Sequence, residues 1–189
     1  MTRIISIANQ KGGVGKTTTS VNLCASLSML GKRVLLVDLD PQGNATMGCG
    51  INKNDLDASV YDWLTTLKLV EEIVQETSAG FSLLPSNSDV TAAEINLLGR
   101  DGREFVMRNR LSKESNKYDY VVVDCPPALN ILTVNSLVAS TGILVPMQCE
   151  YYALEGLAAL MQTVEVIKNE SNPTLEIEGV LRTMYDPRN

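Results

Sequence analysis

RIISIANQKGGVGKTTTSVNL, residues 3–23, decides the fold. An apolar run, residues 3–8, reads as a buried strand. A helical stretch, residues 17–30, follows and is stopped by Gly31. Between them lies a glycine-rich turn. A turn of this kind, leaving a strand and opening a helix, gathers backbone N–H groups around an anion, and the helix N-terminus adds its positive dipole end. Gly12, Gly13 and Gly15 allow close backbone approach to phosphates around Val14. Lys16 is placed to reach the β- and γ-phosphates, the Thr17 hydroxyl to hold Mg²⁺, and Thr18 to cap the α-phosphate. The pattern G-x-x-x-x-G-K-[ST] is met at Gly15, Lys16 and Thr17 but missed at position 10, which is Gln10. The loop carries a second lysine, Lys11, instead.

Two other stretches point at the same place. VLLVDLDPQGN, residues 34–44, puts Asp38 and Asp40 at the end of a second strand, and YDYVVVDCPP, residues 118–127, puts Asp124 at the end of another. Ligands of open α/β sheets bind beyond the carboxyl ends of the strands. The three aspartates therefore share a rim with the glycine loop. Asp124 fits a carboxylate of the Mg²⁺ shell, acting through water, with Asp38 as a further candidate. Asp40 best fits a group that positions an attacking water. Pro41, Gly43, Pro126 and Pro127 follow these aspartates and mark two loops able to rearrange when a γ-phosphate leaves.

The rest of the chain alternates in the same way. Strands are expected at 33–38, 81–85, 120–124, 143–147 and 176–183, and helices at 89–98, 103–114, 132–139 and 154–169. Leu154, Leu157, Leu160, Met161, Val164 and Ile167 make the packing face of the last helix. Residues 52–78 are the least regular part and read as short helices, one of them anchored by Trp63. Apolar strands separated by helices predict an α/β fold, a parallel doubly wound sheet with helices on both faces.

The 189 residues are 44% hydrophobic and 20% charged, with a net charge of −6. The acidic balance argues against a protein that is basic all over, and leaves room for a local basic patch. With no histidine in the chain, histidine catalysis and ligation are excluded. Cys24, Cys49, Cys125 and Cys149 are scattered without C-x-x-C spacing, as expected of reduced thiols in a cytoplasm. No apolar stretch is long enough to span a bilayer.

KGGVGKTT, with its additional lysine, is the deviant Walker A motif. With LLVDLDPQGNAT, DYVVVDCPPAL and VPMQCEYYALEGL it resembles the ParA/Soj chromosome- and plasmid-partition ATPases, over essentially the whole chain. The resemblance implies a P-loop NTPase of the SIMIBI type that binds ATP and Mg²⁺, hydrolyses ATP slowly and forms an ATP-dependent sandwich homodimer. Lys11 would cross to the partner's phosphates while Lys16 serves its own subunit. It also implies binding to nonspecific DNA, stimulation by a DNA-bound ParB-type partner, a cytoplasmic, nucleoid-associated location and no membrane contact. Members of the family continue past the strand that ends in TMYD. Residues 1–189 are therefore expected to form a single domain lacking C-terminal helices and a last strand, and with them part of the DNA surface.

Three rivals share the phosphate loop. A MinD-like division-site ATPase would carry an amphipathic membrane helix. An iron–sulfur protein would use paired cysteines, whereas Cys24 and Cys125 read as packing. A small-molecule kinase or synthetase would need an acceptor pocket. Tyr151 and Tyr152 are expected to support the nucleotide loops or a dimer surface.

Overall fold

Val34–Asp38 (β2) is buried at every position, and Tyr120–Asp124 (β5) at all but its first. Buried on both faces, such strands must lie inside a sheet covered from both sides. The computed structural model describes residues 2–150, 153–186 and 188 and has that arrangement. Arg3–Ile7 (β1), β2, Gln75–Glu76 (β3), Ser82–Leu84 (β4), β5, Gly142–Gln148 (β6) and Glu176–Thr183 (β7) form one seven-stranded sheet, ordered β3-β4-β2-β5-β1-β6-β7. Every pairing is parallel except the two-residue β3, which runs antiparallel to β4 at one edge. A strand that short has no readable period, and the sequence gives no sign of it.

The period of two along the strands sorts side chains into two cores. Leu35, Val37, Val121, Val123, Ile143 and Val145 face one side. They pack against Val60–Thr65 (α3), Val90–Leu98 (α4), Val106–Glu114 (α5), Ile131–Ala139 (α6) and Ala153–Glu170 (α7). Ile5, Ile7, Val34, Leu36 and Val122 face the other, under Lys16–Met29 (α1) and the short Asn44–Gly48 (α2). Each fully buried aliphatic side chain stabilises the fold by about 1.5–3 kcal/mol. In α7, Leu160, Val164 and Ile167 are buried and Leu157 and Met161 pack beside them, as expected. The side chain of Leu154, and Tyr151 and Tyr152 altogether, lie outside the described residues.

Local signals explain the element ends. Gly31 takes φ 74 after α1. Its N–H donates to Ser28 O at 2.8 Å and that of Lys32 to Leu27 O at 3.1 Å, a Schellman closure that needs a left-handed residue. In α3, Ser59 Oγ accepts from Tyr61 N and Asp62 Oδ2 accepts from Ser59 N, while Trp63 is fully buried. The helix α2 was not foreseen: it follows a turn and lacks a side-chain cap, and only Ala45 and Thr46 are buried. Along β7 most side chains are exposed, among them Ile177, Val180 and Leu181.

Candidate functional site

Parallel register brings the site together. Asp38 pairs with Asp124 across β2 and β5, and Ile7 with Asp124 across β1 and β5. Ile7, Asp38 and Asp124 thus stand in one row at the carboxyl rim. The glycine loop leaves that row from β1, the strand from which the chain later turns to both sides of the sheet. The loop returns at Gly15, which takes φ 90 as the residue before α1; there a side chain would be strained by conformation alone.

The loop is gripped from β6 and β7. Asn9 Nδ2 donates to Pro146 O at 2.7 Å, and Asn9 Oδ1 accepts from Lys11 N at 3.0 Å. Thr183 Oγ1 donates to Val14 O at 2.8 Å, and Gln148 Nε2 reaches Gly13 O at 3.4 Å and Met184 Sδ at 2.9 Å. Sequence reasoning missed Asn9, Gln148 and Thr183 as supports. Of these, only Asn9 adjoins the motif.

The two lysines part company. Lys16 is only 7% exposed and its Nζ donates to Lys11 O at 3.2 Å. Burial depresses its pKa, and the carboxylates of Asp124 and Asp40 work against that fall. Lys11 turns outward and pairs with Glu150 at 2.6 Å. A cavity of about 490 Å³ opens over the loop, lined by Gly12, Gly13, Gly15, Lys16, Thr17 and Thr18, with Asp40, Gln42, Asn44, Pro127 and Met184 across it.

The carboxylates differ in their partners. Asp124 is fully buried, and its Oδ1 accepts from Ser20 Oγ at 2.8 Å. Its Oδ2 has no hydrogen-bond partner among the described residues. Burial pushes its pKa up to about 6, against the lowering effect of the Thr17 and Ser20 hydroxyls. An orphaned carboxylate oxygen beside the Thr17 hydroxyl, next to a phosphate loop, fits a Mg²⁺ ion that takes most of its other ligands from phosphate and water. Asp38, also fully buried, has both oxygens engaged, by Asp40 N at 3.2 Å and by Thr46 N and Oγ1 at 2.9 and 2.8 Å. Burial, and then the Asp124 charge, push it up to about 7. Asp40 Oδ1 accepts from Gln42 N at 2.9 Å. Among the cysteines, Cys24 and Cys125 are buried in the packing and burial pushes both thiols up, Cys125 to about 12.

A doubly wound sheet with a phosphate loop at its switch point, and a lysine and strand-end aspartates around it, defines a P-loop NTPase. The family described as AAA domain matches residues 2–177. The chain is 50% identical over 189 residues to the sporulation initiation inhibitor protein Soj of Bacillus subtilis (strain 168), covering all of this chain and 75% of that one. It is 47% identical over 187 residues to the chromosome partitioning protein ParA of Myxococcus xanthus (strain DK1622), covering 98% of this chain and 66% of the relative. Among solved structures, a cobyrinic acid a,c-diamide synthase of Mycobacterium smegmatis, with a bound ATP analogue and magnesium, superposes with a TM-score of 0.96 at 42% identity, over 100% of this chain and 78% of that one. The chain belongs to the ParA/Soj family of deviant Walker A P-loop proteins. No helix among the described residues is long and apolar enough to cross a membrane.

Proposed function

We propose that the protein is a partition ATPase that binds Mg·ATP, hydrolyses it slowly and cycles between a monomer and an ATP-dependent sandwich dimer. The observation that carries this reading is the divergence of the two lysines. Lys16 lies inside the loop, where it serves the chain's own β- and γ-phosphates. Lys11 leaves the loop on a flexible stem and pairs with the exposed Glu150, a contact it would exchange for a second subunit. In trans it would neutralise charge developing on the partner's γ-phosphate, as an arginine finger does. Backbone N–H groups from Gly12 to Thr18 would hold the phosphates. Thr17 and Asp124 would hold Mg²⁺, which when bound supplies positive charge against the phosphate oxygens. Asp40 would orient the attacking water. The dimer would bind nonspecific DNA over the nucleoid, and a ParB-type partner would stimulate hydrolysis.

The test combines sizing with DNA retention. Wild-type protein should dimerise with a non-hydrolysable ATP analogue and stay on nonspecific duplex DNA with ATP but not ADP, more weakly as salt rises. Lys11→Ala should bind nucleotide yet remain monomeric. A Lys11→Ala dimer would overturn the in-trans role. Retention on anionic liposomes in place of DNA would favour a MinD-like ATPase. A second reading, an ATP-dependent synthetase, is favoured by the solved neighbour named as a synthase. It would require a carboxylate acceptor to accelerate phosphate release, in the absence of DNA and of any protein partner.

A further inference from the structure

Asp40 is held by a buried ring of hydrogen bonds among protein groups. Asp38 Oδ1 accepts from Asp40 N, and Asp38 Oδ2 accepts from Thr46 N and Thr46 Oγ1. The Thr46 hydroxyl spends its one proton on Asp38, and its oxygen accepts from Ser86 N at 2.9 Å. Ser86 Oγ then donates to Asp40 O at 2.7 Å and closes the ring. Asp38, Thr46 and Ser86 are all fully buried. The ring ties together three pieces of chain: the end of β2, the third residue of α2, and the segment just after β4.

The consequence falls on Asp40. Its N–H is fixed by Asp38, its carbonyl by Ser86 Oγ and by Gly43 N at 2.8 Å, and its Oδ1 by Gln42 N. Among the described residues Gln42 N is the only donor to its carboxylate, and the side chain lines the cavity over the phosphate loop. One carboxylate oxygen is thus held and the other is left for a water.

We infer that Thr46 and Ser86 are the positioning residues of Asp40, acting through the buried Asp38 carboxylate, and that Asp38 serves as their acceptor and not as a ligand of the metal. The inference rests on the reading of Asp40 as the water-orienting group. Thr46 and Ser86 are buried and direct their hydroxyls to Asp38 and to Asp40 O. Their effect is on the placement of Asp40, and a displacement of about 1 Å at a reacting group lowers a rate by about a hundredfold.

The experiment compares Thr46→Val, Thr46→Ser, Ser86→Ala and Asp40→Asn in the full chain. It measures single-turnover ATP hydrolysis and, separately, the Kd for a fluorescent ATP analogue. Thr46→Val should lose about ten- to a hundredfold in hydrolysis with Kd changed by less than about threefold. Thr46→Ser, which keeps the hydroxyl, should return to within about threefold of wild type. Ser86→Ala should fall in the same sense as Thr46→Val, and Thr46→Val added to Asp40→Asn should cost nothing further. If Thr46→Val does not fold, Ser86→Ala decides alone. Wild-type hydrolysis in both Thr46→Val and Ser86→Ala, with Asp40→Asn inactive, would sink this inference and spare the reading of Asp40. Wild-type hydrolysis in Asp40→Asn would sink the reading of Asp40 itself. A loss in Thr46→Val matched by an equal loss of nucleotide affinity, or not rescued by serine, would mark a merely structural role and overturn the assignment.

Discussion

At the scale of single residues, the same residue type takes opposite parts according to what surrounds it. Among the described residues Asp124 lacks a partner for one oxygen, and burial raises its pKa. Asp119, five residues earlier on the opposite rim, has the Arg33 side chain at 2.9 Å and accepts from Arg33 N as well. Those two hydrogen bonds hold its carboxyl down at about 2. A carboxyl depressed in the folded state adds stability that is present above the unfolded value near 4 and is lost as pH falls toward 2. Asp119→Asn should therefore melt below wild type at neutral pH, with the gap closing as the pH is lowered through that window and narrowing with added salt. A gap that persists unchanged at pH 2 would exclude the ion pair as its source. The glycine loop and the three rim aspartates were legible from their spacing and their place after apolar strands. The ring through Thr46 and Ser86 was not, because residues 40 and 86 are brought together only by the pairing of β2 with β4.

At the scale of elements, strands and helices with a clear period were read well. β5 and β7 have the expected bounds, and the main helices differ from expectation by one residue at their ends, except that α5 begins three residues late, after a 3-10 turn over Arg103–Phe105. Residues 52–78 were not read in detail, because long-range hydrogen bonds organise them and not local pattern. The carbonyls at the end of α3 and in the segment after it converge on one guanidinium. Arg110 Nε donates to Trp63 O at 2.9 Å, and the two N–H groups of Nη2 are shared among Trp63 O and Thr66 O, each at 2.6 Å, and Lys68 O at 2.9 Å. Its neighbour Glu114 accepts from Val70 N at 2.6 Å. An arginine one turn before a glutamate on α5 therefore shapes a segment some forty residues earlier in the chain. Arg110→Ala should destabilise the fold by about 2–4 kcal/mol, since hydrogen bonds from a charged group are each worth about 1.5–3 kcal/mol. Arg110→Lys should recover less than half of that loss, because an ammonium lacks the planar fork that spans three carbonyls. Urea unfolding would measure both, and a loss below about 0.5 kcal/mol in the alanine variant would show that water replaces the clamp.

At the scale of the whole molecule, the strand order sets which segments can restrain the phosphate loop. β6 lies beside β1 on the side away from β5, so the residues that follow β6 come up against the loop that follows β1. That adjacency holds Lys11 against Glu150 within one chain. If Lys11 serves a partner's phosphates in the dimer, it must first leave Glu150. The ion pair then competes with assembly. It is a weak competitor: the lysine side chain is 35% exposed and the glutamate 58%, and exposed pairs are worth about 0–1 kcal/mol. Glu150→Gln should accordingly tighten the dimer formed with a non-hydrolysable ATP analogue by up to about fivefold, the factor that 1 kcal/mol represents. The gain should shrink at high salt, where the competing pair is already screened. Sedimentation equilibrium at two ionic strengths reads both quantities. An unchanged or weaker dimer in Glu150→Gln would mean that the glutamate assists Lys11 on its way to the partner or stands apart from it, and the restraint on assembly would have to be sought in the phosphate loop itself.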